Sequence, residues 1–209
     1  MSRKAHWNGV YGAKSANELS WYAPHLELST RAIQAVARPS SEIIDIGGGA
    51  STLVDDLLNL GFSKISVLDV SSPSLDITKA RLGADAQTVS WIVADVTDVV
   101  LPPARYDVWH DRAVFHFLTE PADRQAYADR AKRSVRPGGH LIISAFSFLG
   151  PPRCSGLDFV RYDGAALARE LGLGFSLEQE LHLTHVTPAG GEQRFVQCLF
   201  RRSTRFAHT

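Results

Sequence analysis

The segment Glu42–Thr52, EIIDIGGGAST, gives the clearest indication of the fold of this chain. A short apolar run leads into three glycines and then Ser-Thr, a pattern typical of a buried strand that enters a glycine turn and a helix start. Many folds approach a nucleotide with such a turn. The carboxylate of Asp45, just before Gly47, is unexpected at a pyrophosphate site because its charge repels phosphate.

The segments that follow alternate between strand and helix patterns. Strand-length apolar runs cover 42–46, 65–70, 89–94, 106–110 and 140–147, and helical spacing covers 25–37, 51–60, 74–82, 123–135 and 164–171. Apolar strands separated by amphipathic helices predict a parallel sheet with right-handed crossovers and helices on both faces.

The end of the chain changes to an alternating pattern. Segments 175–187 and 193–200 are joined by the Gly-rich turn at 188–191, which predicts a hairpin. The predicted fold class is therefore α/β, with a seven-stranded, doubly wound, mostly parallel sheet closed by a C-terminal antiparallel hairpin.

Length and charge limit the classes of partner. A chain of 209 residues predicts one domain, and 22 basic against 22 acidic residues give no overall field for nucleic acid or an anionic membrane. Since no run of about 18 apolar residues occurs, we expect a cytoplasmic protein outside the membrane. Cys154 and Cys198 fit no metal or redox spacing, so free thiols and no metal site are expected.

The glycine turn favours a cofactor with a positive end. Thr52 stands where the third glycine of a dinucleotide fingerprint falls, and Asp45 attracts an ammonium group, so a nicotinamide-dependent reductase is disfavoured. S-adenosylmethionine has a cationic sulfonium and amino group. Asp69 lies 20 residues after Gly49, the position of an acid that holds a ribose diol, although it also suits a helix cap.

Four motifs in this order resemble the class I S-adenosylmethionine-dependent methyltransferases: IIDIGGGAS, VLDVS, WIVADVTD and SVRPGGHLIIS. The resemblance implies that the cofactor contacts Asp45, Gly47, Gly48, Gly49, Asp69, Val70, Asp95 and Val96. Asp95 would bond the adenine amino group with the Val96 backbone near the ring, or it is only a turn residue. The resemblance also implies an N-terminal lid and helix over 1–40 and a Rossmann-like core over 41–209.

The segment YDVWHDRAVFHFL brings His110, Asp111 and Arg112 to the expected methyl group. Strand alternation sends His110 and Asp111 to opposite faces, so His110 is a general base and cofactor contact or a packed histidine. Asp111-Arg112-Ala113 is similar to the Asp-Arg-Ala pattern of thiopurine-type S-methyltransferases. That similarity implies a catalytic Asp111 and an Arg112 that faces the acceptor, unless Arg112 only pairs with Asp111 or Glu120.

Aromatic residues ahead of the core resemble the lid of small-molecule methyltransferases: Trp7, Tyr11, Trp21 and Tyr22. The resemblance implies that Trp21 contacts the cofactor and the other three contact the substrate, the alternative being an apolar leader packed on the sheet. A Pro- and Gly-rich loop after the fifth strand adds Cys154 and Arg161 as candidate substrate contacts.

These observations predict transfer of a methyl group from S-adenosylmethionine to a small nucleophile, a thiol or sulfide. A thiol needs little help from a catalytic base, because it is partly ionised at neutral pH. The alternatives are methylation of a protein lysine and a non-catalytic S-adenosylmethionine-binding module.

Overall fold

The computed structural model describes residues 2–13, 15–150 and 155–204. The α-helices are α1 (Arg3–Ala13), α2 (Glu27–Val36), α3 (Leu53–Asn59), α4 (Ser72–Leu82), α5 (Pro121–Ser134) and α6 (Gly164–Leu171). The strands are β1 (Glu42–Ile46), β2 (Lys64–Asp69), β3 (Ser90–Val93), β4 (Tyr106–Arg112), β5 (Val135–Phe146), β6 (Phe175–Val186) and β7 (Glu192–Arg202).

The strands form one seven-stranded sheet in the order β3-β2-β1-β4-β5-β7-β6. β1 to β5 pair in parallel, and β7 pairs antiparallel with both β5 and β6. The predicted fold class and its closing hairpin are confirmed. The chain order reverses between β1 and β4, and open α/β sheets bind ligands at such a switch point, beyond the carboxyl ends of the strands.

Strand alternation divides the core between the two faces of the sheet. Ile43 packs into a cluster with α2 and α3 residues, whereas its neighbour Ile44 packs into a cluster with α5 and α6 residues. Val108 and Trp109 on β4 divide in the same way, and all four side chains are fully buried. Helices therefore cover both faces of the sheet. The position expected for a ligand is the edge formed by the carboxyl ends of the parallel strands.

Among the differences from the sequence prediction are two strand boundaries and one helix. β4 extends to Arg112, because the parallel ladder continues to the Arg112–Ser144 pair. β5 begins at Val135, because this residue already pairs with Tyr106. Helix α1 was not predicted, since Gly9 and Gly12 lower its intrinsic helix propensity. In the described part of the chain, every helix is too short or too polar to cross a bilayer.

Candidate active site

A cavity lies at the carboxyl ends of the parallel strands, on both sides of the switch point. Its β2–β3 end is lined by Asp69, Val70, Asp95 and Val96. Its β4–β7 end is lined by Arg112, Phe117, Phe146, Gln193 and Phe195. Gly47 lies between the two ends, so a ligand that spans the cavity passes over the glycine turn.

The glycine turn brings backbone close to the cavity where side chains would clash. Gly47 has φ +66°, and a Cβ there would overlap the side chain of Val114. Gly49 has φ +39°, and its Cβ would lie 2.8 Å from Asp69 Oδ2 and 2.9 Å from the hydroxyl oxygen of Tyr11. Only glycine fits both the backbone conformation and the space at these positions.

Asp69, at the end of β2, presents a buried carboxylate to the cavity. Its Oδ1 accepts a hydrogen bond from Ser71 N at 2.8 Å, and burial raises its pKa to about 6. The carboxylate is therefore mainly ionised at neutral pH. The N-cap of α4 is Ser71, whose side chain accepts from Ser74 N, so capping that helix does not require Asp69.

Asp95, after β3, is a hub of hydrogen bonds at the cavity rim. Oδ1 accepts from Thr97 N at 2.9 Å and Thr97 Oγ1 at 2.7 Å, and Oδ2 accepts from Arg3 Nη1 at 2.7 Å. Burial alone raises its pKa, but the bonds from Thr97 and Arg3 outweigh burial and lower it below the usual value. Arg3 also pairs with Asp123, at the start of α5.

Helix α1 covers the cavity with one face. Arg3, Trp7 and Tyr11 are spaced four residues apart, so they share one face of the helix, and all three line the cavity together with Trp21. The Trp7 ring contacts that of Trp21 edge to face at a centroid distance of 5.7 Å. Burial, together with the charge of Asp69, raises the pKa of Tyr11. The Tyr11 hydroxyl is therefore neutral and cannot act as a base near neutral pH.

His110 and Asp111 lie on opposite faces of β4, as predicted. His110 is enclosed between two partners, with Asp45 Oδ1 at 2.7 Å from Nδ1 and Ser29 Oγ at 2.9 Å from Nε2. All three residues are at most 3% exposed, and neither Asp45 nor His110 lines the cavity. This Ser29–His110–Asp45 triad connects α2 with β1 and β4. The side chain of Asp45 packs against Gly48 on the side away from the cavity.

Asp111 is fully buried on the other face. It accepts hydrogen bonds from Val114 N at 3.0 Å, Phe115 N at 3.2 Å and Tyr127 Oη at 2.8 Å, and Tyr127 Oη accepts from Trp109 Nε1 at 2.8 Å. Burial raises the pKa of Asp111 to about 6, against the effect of these bonds. Its contacts stabilise the turn after β4; Asp111 itself does not line the cavity, whereas Val114, which donates to it, does.

His110, Asp111 and Arg112 are consecutive and form the HDR triplet. Of these three residues, Arg112 lines the cavity. Its Nη1 donates to the carbonyl of Trp21 at 2.9 Å, and its guanidinium lies 5.7 Å from the ring centroid of Phe195. Burial lowers its pKa to about 10, so the side chain is still a cation at neutral pH. The structure shows no ion pair of Arg112 with Asp111 or Glu120 among its described contacts.

Three other predicted contacts lie elsewhere. Tyr22 lines a small neighbouring cavity beside Thr52. Arg161 is outside the cavity lining, with its guanidinium 5.3 Å from the ring centroid of Phe159. Cys154 lies outside the described residues.

Among the cavity-lining residues that sequence reasoning missed are Arg3, Phe117, Phe146, Gln193 and Phe195. A signal for Arg3 exists, because it continues the four-residue spacing of Trp7 and Tyr11. Phe146 could be found as the last residue of the fifth strand. Gln193 and Phe195 could not, since only the antiparallel pairing of β7 with β5 brings the start of β7 to this edge.

Acidic groups are confined to one part of the cavity. Among its described lining residues, the carboxylates are Asp69 and Asp95, both at the β2–β3 end. The β4–β7 end carries the cation of Arg112, the amide of Gln193 and three phenylalanine rings. Within the described ranges, no group of three or more His, Cys, Asp or Glu side chains is arranged to hold a metal ion.

Comparisons with known proteins agree with this geometry. Residues 44–143, which contain the glycine turn, Asp69, Asp95 and all of β4, match the family model of a methyltransferase domain. The chain is 25% identical over 107 residues to the mouse eEF1A lysine and N-terminal methyltransferase. That match covers 51% of this chain and 15% of the mouse protein, so the chain spans a small part of that relative's length.

Two solved structures share the fold. One, reported for the conversion of a disulfide bond into a thioacetal group during echinomycin biosynthesis, has a TM-score of 0.80 at 18% identity over 99% of this chain and 94% of the other. The second is the Burkholderia thailandensis 1,6-didemethyltoxoflavin-N1-methyltransferase with bound S-adenosylhomocysteine, with a TM-score of 0.69 at 18% identity over 96% and 84%. Residues 44–143 thus match a methyltransferase domain, and the fold of the chain is shared with solved S-adenosylmethionine-dependent methyltransferases.

Proposed function

We propose that this chain is an S-adenosylmethionine-dependent methyltransferase that transfers the methyl group to the sulfur of a small thiol or sulfide. The observation that carries the proposal is the chemistry of the β4–β7 end, where a fixed cation, Arg112, stands without a carboxylate among the described lining residues. A nucleophile that still carries a proton needs a base there, whereas a thiolate needs only a counter-charge.

The β2–β3 end is proposed to hold the nucleoside of the cofactor. The two oxygens of Asp69 suit the ribose diol, and Asp95 Oδ2 is placed to accept from the adenine amino group while Val96 contacts the ring. Gly47 lets the chain of the cofactor pass close to the backbone. Asp45 lies behind Gly48 and out of the cavity, so its proposed effect on the ammonium group is through its charge.

The methyl group would then lie over the glycine turn and face Arg112. Methyl transfer needs in-line attack from about 3 Å, so most catalysis comes from positioning and from exclusion of water. The rings of Trp7, Trp21 and Phe117 cover this region and favour the sulfonium by cation–π attraction. Arg112 raises the thiolate fraction of a bound thiol because its charge lowers the thiol pKa.

Sulfur chemistry is also named for one structural neighbour, the protein studied in the conversion of a disulfide to a thioacetal. The mouse relative supports the alternative acceptor, a protein lysine. An amine is protonated at neutral pH, and the β4–β7 end offers no described carboxylate to remove its proton. The narrower resemblance to thiopurine-type enzymes stays a prediction.

The test is release of S-adenosylhomocysteine with hydrosulfide, methanethiol and thiophenol, run beside phenol, aniline and a lysine-containing protein fraction. We expect turnover of the thiols and a loss of about tenfold or more in kcat/KM for Arg112→Gln near neutral pH, recovered in part at higher pH. Arg194→Gln is the matched control, because Arg194 is exposed on β7 between two cavity residues. Turnover of the protein fraction alone would overturn the thiol proposal in favour of lysine.

A further inference from the structure

One buried polar atom at the β4–β7 end has no hydrogen-bond partner among the described residues. Gln193, the second residue of β7, is 8% exposed and lines the cavity. Its Oε1 accepts no hydrogen bond from any group in residues 2–13, 15–150 and 155–204. Buried side-chain oxygens are nearly always hydrogen-bonded, and leaving one unpaired is costly. A ligand in the cavity can supply the missing donor.

The surroundings of this amide are aromatic. Phe195 follows on the same face of β7, and its ring lies 4.6 Å, centroid to centroid, from that of Phe146 on the paired strand β5. Phe117 packs against the cluster of Phe146 and Phe195 and contacts Trp7 of α1 edge to face at 5.3 Å. Flat rings gain contact area and favourable edge-to-face geometry against such walls.

The cation of Arg112 lies at the same end of the cavity. Its guanidinium carbon is 5.7 Å from the ring centroid of Phe195, which lies two residues from Gln193. A molecule stacked against Phe195 is thus offered a positive charge for its nucleophile and a hydrogen-bond acceptor for a nearby N–H or O–H. The β4–β7 end therefore combines three features: aromatic ring faces, the cation of Arg112 and the unpartnered amide oxygen of Gln193.

We propose that Gln193 Oε1 accepts a hydrogen bond from the methyl acceptor, so that the site prefers an acceptor with an N–H or O–H donor beside its nucleophilic atom to the same acceptor without that donor. This assignment rests on the proposed function. The thiol proton is lost to solvent, and the thiolate sulfur forms a bond to the methyl carbon. The methyl–sulfonium bond breaks with its electron pair on S-adenosylhomocysteine. Gln193 binds and orients the acceptor and takes no proton.

A binding measurement tests the contact with Gln193 independently of methyl transfer. The protein is saturated with S-adenosylhomocysteine, and the dissociation constants of 2-(methylthio)aniline and thioanisole, which differ by one amino group, are measured by calorimetry. We expect the wild type to bind the amino compound about tenfold more tightly, and Gln193→Leu to bind both equally. Gln197→Leu is the control, because Gln197 is buried on the same strand but bonds Ser144 Oγ outside the cavity lining.

Turnover supplies the second readout. The ratio of kcat/KM for 2-aminothiophenol to that for thiophenol is compared between variants, which cancels the intrinsic reactivity of the two thiols. We expect Gln193→Leu to lower this ratio about tenfold, mostly through KM. Its melting temperature should not fall, since leucine replaces an amide whose oxygen has no partner.

Equal binding of both compounds by the wild type, or an unchanged preference in Gln193→Leu, would overturn the assignment. A preference for the amino compound that Gln193→Leu abolishes supports it even if neither thiol is methylated. In that case the thiol proposal fails and the hydrogen-bonding role of Gln193 stands.

Discussion

Arg3 and Asp95 are 92 positions apart in sequence, and their charged groups lie 2.7 Å apart at the rim of the cavity. Arg3 belongs to the covering helix α1, and Asp95 follows β3 in the core. The same guanidinium also pairs with Asp123 on α5. This contact fastens α1 to the β2–β3 end of the cavity, where the adenine is proposed to bind.

Arg3→Ala is expected to speed the release of S-adenosylhomocysteine, because the covering helix loses its ion pairs to the rim. The pairs are about one-third exposed, so the effect on Kd is modest, about two- to fivefold, and decreases with added salt. Stopped-flow displacement measures the release rate. Lys4→Ala, an exposed lysine on the same helix, is the control. An Arg3→Ala rate equal to that of the control would contradict the role of Arg3.

The Asp69 carboxylate is expected to make cofactor affinity depend on pH. Burial raises its pKa to about 6, so the group is charged at neutral pH and becomes neutral as the pH falls through 6. Affinity for S-adenosylhomocysteine should be constant above about pH 7 and weaken below, at most about tenfold per pH unit. Titration calorimetry from acid to neutral pH gives the profile. If Asp69→Asn shows the same pH profile as the wild type, Asp69 does not contact the cofactor.

The same residue is expected to reduce the stability of the cofactor-free protein. Burial raises the pKa of Asp69 in the folded state from its ordinary value of 3.8 to about 6, so the folded state binds a proton more readily than the unfolded chain. The stability that this proton gives is lost as the pH rises from 3.8 to about 6. Asp69→Asn should therefore increase the free energy of unfolding at neutral pH, by up to about 3 kcal/mol. Urea denaturation at acid and neutral pH measures both values. A variant less stable than the wild type at neutral pH contradicts the expectation.

Asp111→Ala is expected to destabilise the fold by about 2 to 4 kcal/mol, because Tyr127 Oη and two backbone N–H groups lose a buried acceptor. The exposed Asp129→Ala on α5 is the control. Denaturation should show the loss. A stable Asp111→Ala variant without activity would instead support the predicted catalytic role.

Ser29→Ala is expected to lower the free energy of unfolding by about 1 kcal/mol, since His110 Nε2 loses its partner in a buried site. Ser29 lies on α2, away from the cavity lining, so affinity for S-adenosylhomocysteine should stay within about twofold of wild type. Ser176→Ala, on the exposed strand β6, controls for loss of a hydroxyl. A large fall in affinity without a loss of stability would show that the triad acts on the cofactor.

Most of the fold could be predicted from the sequence because its signals are local. Apolar runs of strand length, helical spacing and the turn at 188–191 specify the elements, and the rule that carboxyl ends of parallel strands share one edge brings Asp69 and Asp95 together. The glycine turn is equally local, since the positive φ angles of Gly47 and Gly49 require glycine at those positions.

Contacts between distant elements could not be predicted from the sequence. The HDR triplet looks like one catalytic group, yet the alternation of β4 sends His110 to Ser29 and Asp45, sends Asp111 to Tyr127, and leaves Arg112 at the cavity. Local signals in the sequence therefore specify the sheet, the glycine turn and the acids of the β2–β3 end. The β4–β7 end depends on tertiary contacts, because antiparallel pairing of β7 with β5 brings Gln193 and Phe195 beside Phe146.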